Sequence, residues 1–370
     1  MELNRTKEKR ICVIGPLPSE KGGPARSILM NIYIFRKILG YHTILLPINL
    51  KDVLKNRILK LIRSCNVIHL HYPLVLPLLV LFTIRRRPKI ILTLRGWVIK
   101  EALIYFSKSY KKTFRRFFAL IYLIYIIILW NLYRYLLSRS IIDYITSVSG
   151  ITACENGIRD AIVVPNPILC SQLDDPCKNY SGRHNHNFRI VTYVSIGGGK
   201  IETLPIAVII VNYVNKLLKL NNLQISATLE IYGKDIPDNT IQMISHLPFV
   251  KYMGYVSDFK DRIKGADLFL MTYTFPELGN AALEAVCMGV PLAKLTTVPT
   301  EEEIVDGFNG ILATSPYEMV VKIYNYLLKR DEQKCYIAKN AISTILRKRD
   351  PQVISLYWKY LLENLLGHEH

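Results

Sequence analysis

Two carboxylates, Glu277 and Glu284, stand around the start of a short helical pattern in the segment from Pro276 to Pro291. Just before it, Asp267-Leu268-Phe269-Leu270-Met271 is an apolar run of strand length, and Gly289 with Pro291 supplies the stop signal past a helix end. The local order is therefore strand, loop, helix, stop. Asn280 is placed to cap the helix. The free N–H groups of its first turn, at Gly279, Asn280 and Ala281, together with the positive end of the helix dipole, make a phosphate site. An acidic residue in that turn accepts hydrogen bonds from sugar or ribose hydroxyls, so the pattern suits a sugar nucleotide. A capped surface helix with an acidic first turn uses the same residues and is the competing explanation.

The elements that position this segment repeat one theme. In the first half, Ile11 to Ile14 reads as a strand, Gly15 to Pro24 as a loop, and Ala25 to Leu39 as a helix closed by Gly40. Strands at Thr43 to Leu46, Val67 to Leu70, Ile90 to Leu94 and Ala161 to Val164 follow, with an apolar helix expected at Leu74 to Ile84. The second half restarts with a strand at Ile190 to Val194, a glycine loop at Gly197-Gly198-Gly199-Lys200, and a helix from Leu204 to Leu220. Strands ending at Gly233 and Gly254 come next. Alternating strands and helices predict α/β architecture with parallel sheets. The polar stretch 170–187 is the best linker, which separates Rossmann-like domains at 1–169 and 188–346. Ligands of such sheets sit at the carboxyl ends of the strands, so the active site is expected in a deep cleft between two facing halves.

Composition sets the partners. The 370 residues suffice for two separate cores. Forty-eight Lys+Arg against 29 Asp+Glu give a net charge of +19, and mean hydropathy is +0.19. An anionic partner is implied, and the hydrophobicity favours a membrane surface over nucleic acid, for which no RRM, KH or zinc-finger signature is present. The seven scattered cysteines include no C-x-x-C pair, so neither a zinc site nor a disulfide framework is indicated, and a reducing cytoplasm fits best. Phe117 to Tyr133 is a 17-residue stretch without a charge, preceded by Lys108, Lys111, Lys112, Arg115 and Arg116. A spanning helix there would split the first domain across a bilayer. The segment is expected to be buried, or to lie in the interface of an anionic membrane with Arg85-Arg86-Arg87 nearby.

These motifs together resemble a retaining glycosyltransferase of family four, with the GT-B fold. The matching segments, in order, are the Gly22-Gly23 loop, Val67-Ile68-His69-Leu70-His71, Val163-Val164-Pro165-Asn166-Pro167, Lys200 after the glycine loop, Gly254 to Glu284, and Glu303 to Leu312. The resemblance covers about residues 10 to 315. It implies that Gly22 and Gly23 let backbone approach the donor phosphates, because glycine carries no Cβ to clash. It also implies that Gly198 and Lys200 face the departing diphosphate, and that Glu277 and Glu284 meet the donor sugar and the ribose. Two departures stand out. The arginine usually found a few residues before the lysine is absent, which leaves Arg95 as a candidate, and only six residues rather than seven separate Glu277 from Glu284. Buried, hydrogen-bonded histidines are the simpler description of His69 and His71.

The resemblance further implies front-face transfer with retention, no metal and no cofactor beyond the nucleotide-sugar substrate. It also implies a last helix, within 347–370, that returns to the first domain. A lipid-linked or membrane glycan acceptor, on the cytoplasmic face of a membrane, follows from the apolar segment. A GT-B-like nucleotide-sugar epimerase and an inactive membrane-bound sugar-nucleotide-binding subunit remain the alternatives.

Overall fold

The structure, a computed structural model, describes residues 9–15, 23–46, 56–71, 88–96, 98–99, 102–103, 106, 113–170, 175–180, 187–195, 201–234, 236–273, 278–296 and 303–367. The chain divides into unit 1, Met1–Pro167 with Arg349–His370, and unit 2, Ile168–Lys348. Each unit holds a six-stranded parallel sheet.

Unit 1 contains β1 (Arg10–Ile14), β2 (His42–Leu46), β3 (Val67–Leu70), β4 (Lys89–Leu94), β5 (Tyr144–Ser147) and β6 (Ile162–Val163), in the order β2-β1-β3-β4-β5-β6. These strands are nearly continuous apolar runs because both faces of the sheet are covered. Side chains alternate across the sheet, so Ile11 and Val13 enter one core while Cys12 and Ile14 enter the other. The first core also takes Ile28 and Phe35, from α1 (Gly23–Tyr33) and the π-helical turn that continues it to Ile38. Its remaining wall comes from the far end of the chain: α11 (Pro351–Leu366) contributes Ile354, Trp358, Leu361 and Leu362. Asp350 caps that helix by accepting from the Gln352 N–H at 2.8 Å, and Pro351 takes the first helical position, where no N–H is needed.

The second core of unit 1 is closed by α3 (Thr113–Ser138), which crosses from β4 to β5; α2 (Asn56–Arg63) precedes β3 and α4 (Gly150–Glu155) precedes β6. The 26 residues of α3 extend about 39 Å, roughly twice the length of the six-residue β4 beside it. Leu129, Trp130, Tyr133 and Leu136 pack its second half on the sheet. The first half therefore reaches past the carboxyl edge, where Leu123 and Ile126 meet Ala102. Phe117 to Tyr133 is thus helical but not enclosed. Ala119, Leu123, Ile126, Leu129, Trp130 and Tyr133 are buried, whereas Phe117, Phe118, Leu120, Ile121, Tyr122, Ile124, Tyr125, Ile127 and Ile128 are exposed. The Leu74 to Ile84 segment lies outside the described residues.

Unit 2 contains β7 (Asn187–Ser195), β8 (Ser226–Lys234), β9 (Val250–Gly254), β10 (Leu268–Met271), β11 (Leu292–Leu295) and β12 (Gly310–Ala313), ordered β12-β11-β10-β7-β8-β9. On one face α5 (Leu204–Leu220) and α9 (Pro316–Leu327) cover Ile190, Leu229 and Leu268. On the other, α7 (Phe259–Ile263), α8 (Asn280–Cys287) and α10 (Asp331–Arg349) cover Val191, Phe269 and Met271. The short α6 (Asp238–Ser245) links β8 to β9. Gly233 is required by its neighbour: its φ is +147° and a Cβ there would stand 1.8 Å from the Val194 carbonyl oxygen.

Two expectations are corrected. The described part of the segment read as a linker belongs to unit 2, because Tyr180 is buried and its hydroxyl lies 3.4 Å from that of Tyr326. The cysteines are also not scattered in space. The structure pairs Cys12 with Cys65, Cys170 with Cys287 and Cys177 with Cys335, with Cα separations of 6.0, 5.2 and 4.8 Å, inside the range a disulfide bridges. Sequence separations of 53, 117 and 158 residues hide these pairs from any spacing rule.

Candidate functional site

In unit 2 the strand order reverses between β7 and β10, and such a switch point opens a crevice at the carboxyl ends of the two strands. Both sequence-predicted donor segments leave from there. The glycine loop follows β7, and the segment leading to α8 follows β10. Gly198, Lys200 and Glu277 lie outside the described residues. Their neighbours on either side do not. Directly after Lys200, Ile201–Thr203 forms a 3₁₀ turn into α5. The Thr272 hydroxyl, just past β10, donates to the Thr203 carbonyl at 3.0 Å and lies 3.2 Å from the Thr203 hydroxyl. Sequence reasoning missed this clasp, since two threonines 69 residues apart carry no motif.

The α8 helix forms as expected, with one correction. Its cap is Gly279 in extended backbone, with φ −67° and ψ 156°, and Asn280 is the first helical residue. Glycine serves because the turn places the backbone, not a side chain, at the helix entry. Gly279, Asn280 and Ala281 are half-buried, whereas Glu284, the only charged residue of α8, is 4% exposed among Leu283, Ala285 and Val286. A carboxylate at such a buried position costs stability unless polar groups meet it. Gly289, at φ +75°, and Pro291 end the helix as the sequence indicated.

Unit 1 reverses its strand order between β1 and β3, and its second cluster sits at the carboxyl ends of those strands and of β4. Gly22 lies outside the described residues, and Gly23 is the first residue of α1. His71, after β3, donates its backbone N–H to the Ile14 carbonyl at 2.8 Å. A Cβ on Gly15 would come within 3.2 Å of the His71 Cβ and 2.3 Å of Ile28 Cδ1, so glycine there lets the strand ends close up. Arg95, after β4, is half-buried, and its Nε donates to His71 Nδ1 at 3.1 Å. His69 lies 2.6 Å from the Thr93 hydroxyl, which reaches that of Thr146 at 2.7 Å, and its ring stands 4.1 Å from that of His71 and 4.7 Å from Trp358. Burial, seconded by the charge of Arg95, lowers the His69 pKa to about 3. Burial, then His69 and Arg95, holds His71 well below the usual histidine range, and burial lowers Arg95 to about 9. The cluster is two neutral imidazoles beside one guanidinium.

Residues 208–329 match the family model for glycosyl transferases group 1, a span that runs from α5 to α9 and includes α8 and Glu284. No curated protein matches the chain by sequence. Among solved structures it is similar to Anabaena HepE in complex with UDP, with a TM-score of 0.66 at 15% identity over 96% of this chain and 100% of that one. A glycosyltransferase from Rickettsia africae aligns at 0.65 and 15% over 98% and 100%. Sucrose-phosphate synthase of Thermosynechococcus elongatus aligns at 0.64 and 12% over 97% and 99%. The chain has the GT-B fold. Within this GT-B chain, β10 and α8 lie in the matched segment, whereas β7, Thr203 and the His71–Arg95 cluster lie outside it.

Proposed function

We propose that this chain is a retaining glycosyltransferase that moves a sugar from a nucleotide-sugar donor to the hydroxyl of a lipid-linked or membrane-associated acceptor. The observation that carries the donor side is the unit 2 switch point, where the Thr203–Thr272 clasp joins the entry of α5 to the end of β10, together with the buried Glu284 of α8. HepE was solved with UDP and also with UDP-glucose, which supports a UDP-sugar-like donor. In this reading Glu284 accepts from the ribose hydroxyls and Glu277 from the donor sugar. Gly198, Lys200 and the α8 amides at Gly279 to Ala281 stabilise the departing diphosphate. Gly22, Gly23 and Arg95 are the unit 1 residues proposed to bind phosphate. The acceptor hydroxyl attacks the face of the anomeric carbon from which the diphosphate leaves, so configuration is retained. Catalysis then rests on positioning and electrostatics. No metal or cofactor is assigned a step.

The acceptor side is supported by α3. It is long and apolar enough to cross a membrane, yet β4 and β5 on either side of it are paired in one sheet, Ile91 beside Tyr144, so a spanning arrangement would tear the sheet apart. An interfacial helix satisfies both facts. Tyr122 and Tyr125 present an apolar body with a polar tip, and Arg116 and Arg134 bracket the uncharged stretch. We place the protein peripherally on the surface of an anionic membrane. The deciding experiment screens UDP-, GDP- and ADP-sugars for binding and slow hydrolysis, followed by NMR of the product anomer. Inversion at the anomeric carbon would refute retention, and an isomerised donor with no transfer would make the chain an epimerase.

A further inference from the structure

We infer that the core of unit 1 holds a binding site for one ordered water, formed by Asn31, His69, His71 and Trp358, which ties the last helix to the carboxyl edge of the sheet. Asn31 Oδ1, His69 Nδ1, His71 Nε2 and Trp358 Nε1 are enclosed, and none has a hydrogen-bond partner among the described residues. Native cores meet such groups with protein atoms or with ordered water, because leaving them unmet is costly. The four belong to one place. The His69 ring stands 4.1 Å from that of His71 and 4.7 Å from that of Trp358. Asn31 lies on α1 one helical turn before Phe35, whose ring is 5.7 Å from His69 and 5.3 Å from Trp358. One turn earlier still, Ile28 packs at Gly15 beside His71. Each histidine spends one ring nitrogen toward β4, on Thr93 or on Arg95, which turns its other nitrogen away from that strand.

The polarity of the four atoms names the ligand. The Trp358 indole N–H can only donate. Arg95 donates its Nε–H to His71 Nδ1, so the proton of that neutral ring sits on Nε2 and makes a second donor. Asn31 Oδ1 accepts, and so does His69 Nδ1 when the Nε2–H of that ring donates to the Thr93 hydroxyl at 2.6 Å. Two donors and two acceptors match the two lone pairs and two O–H bonds of a single water. An anion would face two acceptors, and a cation two donors. A larger neutral ligand has no entry, since none of the four atoms reaches the surface. The site stands apart from the glycosyltransferase reading.

NMR of the full chain, labelled with 15N at its three tryptophans, tests the site. The indole N–H signal that Trp358→Phe removes should cross-relax with water in a rotating-frame experiment, where a bound water and proton exchange give opposite signs. Asn31→Leu keeps the volume but deletes one of the four hydrogen bonds, so it should reduce that cross-peak about threefold or more while the other two indole signals stay in place. A high-resolution crystal structure of the parent needs no variant to fold, and should show density for a water bonded to Trp358 Nε1 and to at least one of the other three atoms. No water cross-peak in the parent, a cross-peak unchanged by Asn31→Leu, or density with Nε1 donating directly to a protein atom would each overturn the inference.

Discussion

Glu284→Gln keeps the shape of the α8 side chain and removes its charge. With the role proposed above, it should cost roughly 1.5–3 kcal/mol in donor affinity or turnover at an unchanged melting temperature, and calorimetry with the donor reads this directly. Parental affinity together with parental turnover would reduce Glu284 to a packing group. Lys200→Ala should lower turnover more than donor affinity, because charge on the diphosphate grows as the sugar bond breaks. Equal losses in saturation and binding curves would assign it to ground-state binding. Away from the site, Arg189 forks onto both carboxylate oxygens of the largely buried Glu230 at 2.9 and 2.8 Å. Burial alone would raise the Glu230 pKa, but the guanidinium outweighs it and holds the carboxyl below its usual range. A depressed folded pKa gives stability that is full above the unfolded value of 4.5 and is lost as pH falls through the folded one. Urea melts from neutral pH downward should show the parent losing stability over that acid window while Glu230→Gln changes less. Parallel curves for the two would mean that the pair contributes nothing to folding.

The α3 helix shows how far local pattern reaches. Its uncharged run predicts a helix, and its buried residues recur every three to four positions as an amphipathic helix requires. The pattern did not show which apolar face would be exposed, as Phe117 at 60% and Ile128 at 63% are. Ile121→Glu and Ile128→Glu should each weaken co-sedimentation with anionic vesicles. Folding stability should move by no more than about 0.5 kcal/mol, since both sites are exposed. Leu123→Glu, on the buried stripe, should instead destabilise unit 1. For the parent, binding should fall with salt yet persist, because the apolar part is not screened. Vesicle binding indifferent to lipid charge, or unaffected by either exposed substitution, would return this face to an unassigned surface. The cap of α8 differs for a related reason: Asn280 is a good cap by type, but the approach of the chain from buried Leu278 sets the entry one residue earlier.

Across the molecule, unit 1 is completed by the last helix of the chain. Deleting residues 350–370 removes Trp358, Leu361 and Leu362 from its core, and emptying a Trp or Leu site alone costs about 2–5 kcal/mol. Hydrogen exchange should then show β1 and β3 losing protection while β7, β8 and β10 keep theirs; uniform loss over both units would contradict two separate cores. Strands β5, β11 and β12 were not read from the sequence, whereas β1 to β4 and β6 to β10, helices α1 and α5, the glycine and proline stops, and the α8 segment with Glu284 were legible in it alone. Each depends on periodicity or on backbone preferences spanning fewer than about 20 residues. Periodicity reports that a residue is buried but not against what. The tertiary structure alone decided the strand orders that create the two switch points, the Thr203–Thr272 clasp, the His71–Arg95 contact across 24 residues and the cysteine pairs. It also decided that Trp358 stacks near His69. These partners lie far apart along the chain, and they meet because parallel strands require long crossovers whose packing, not whose local sequence, selects the neighbour.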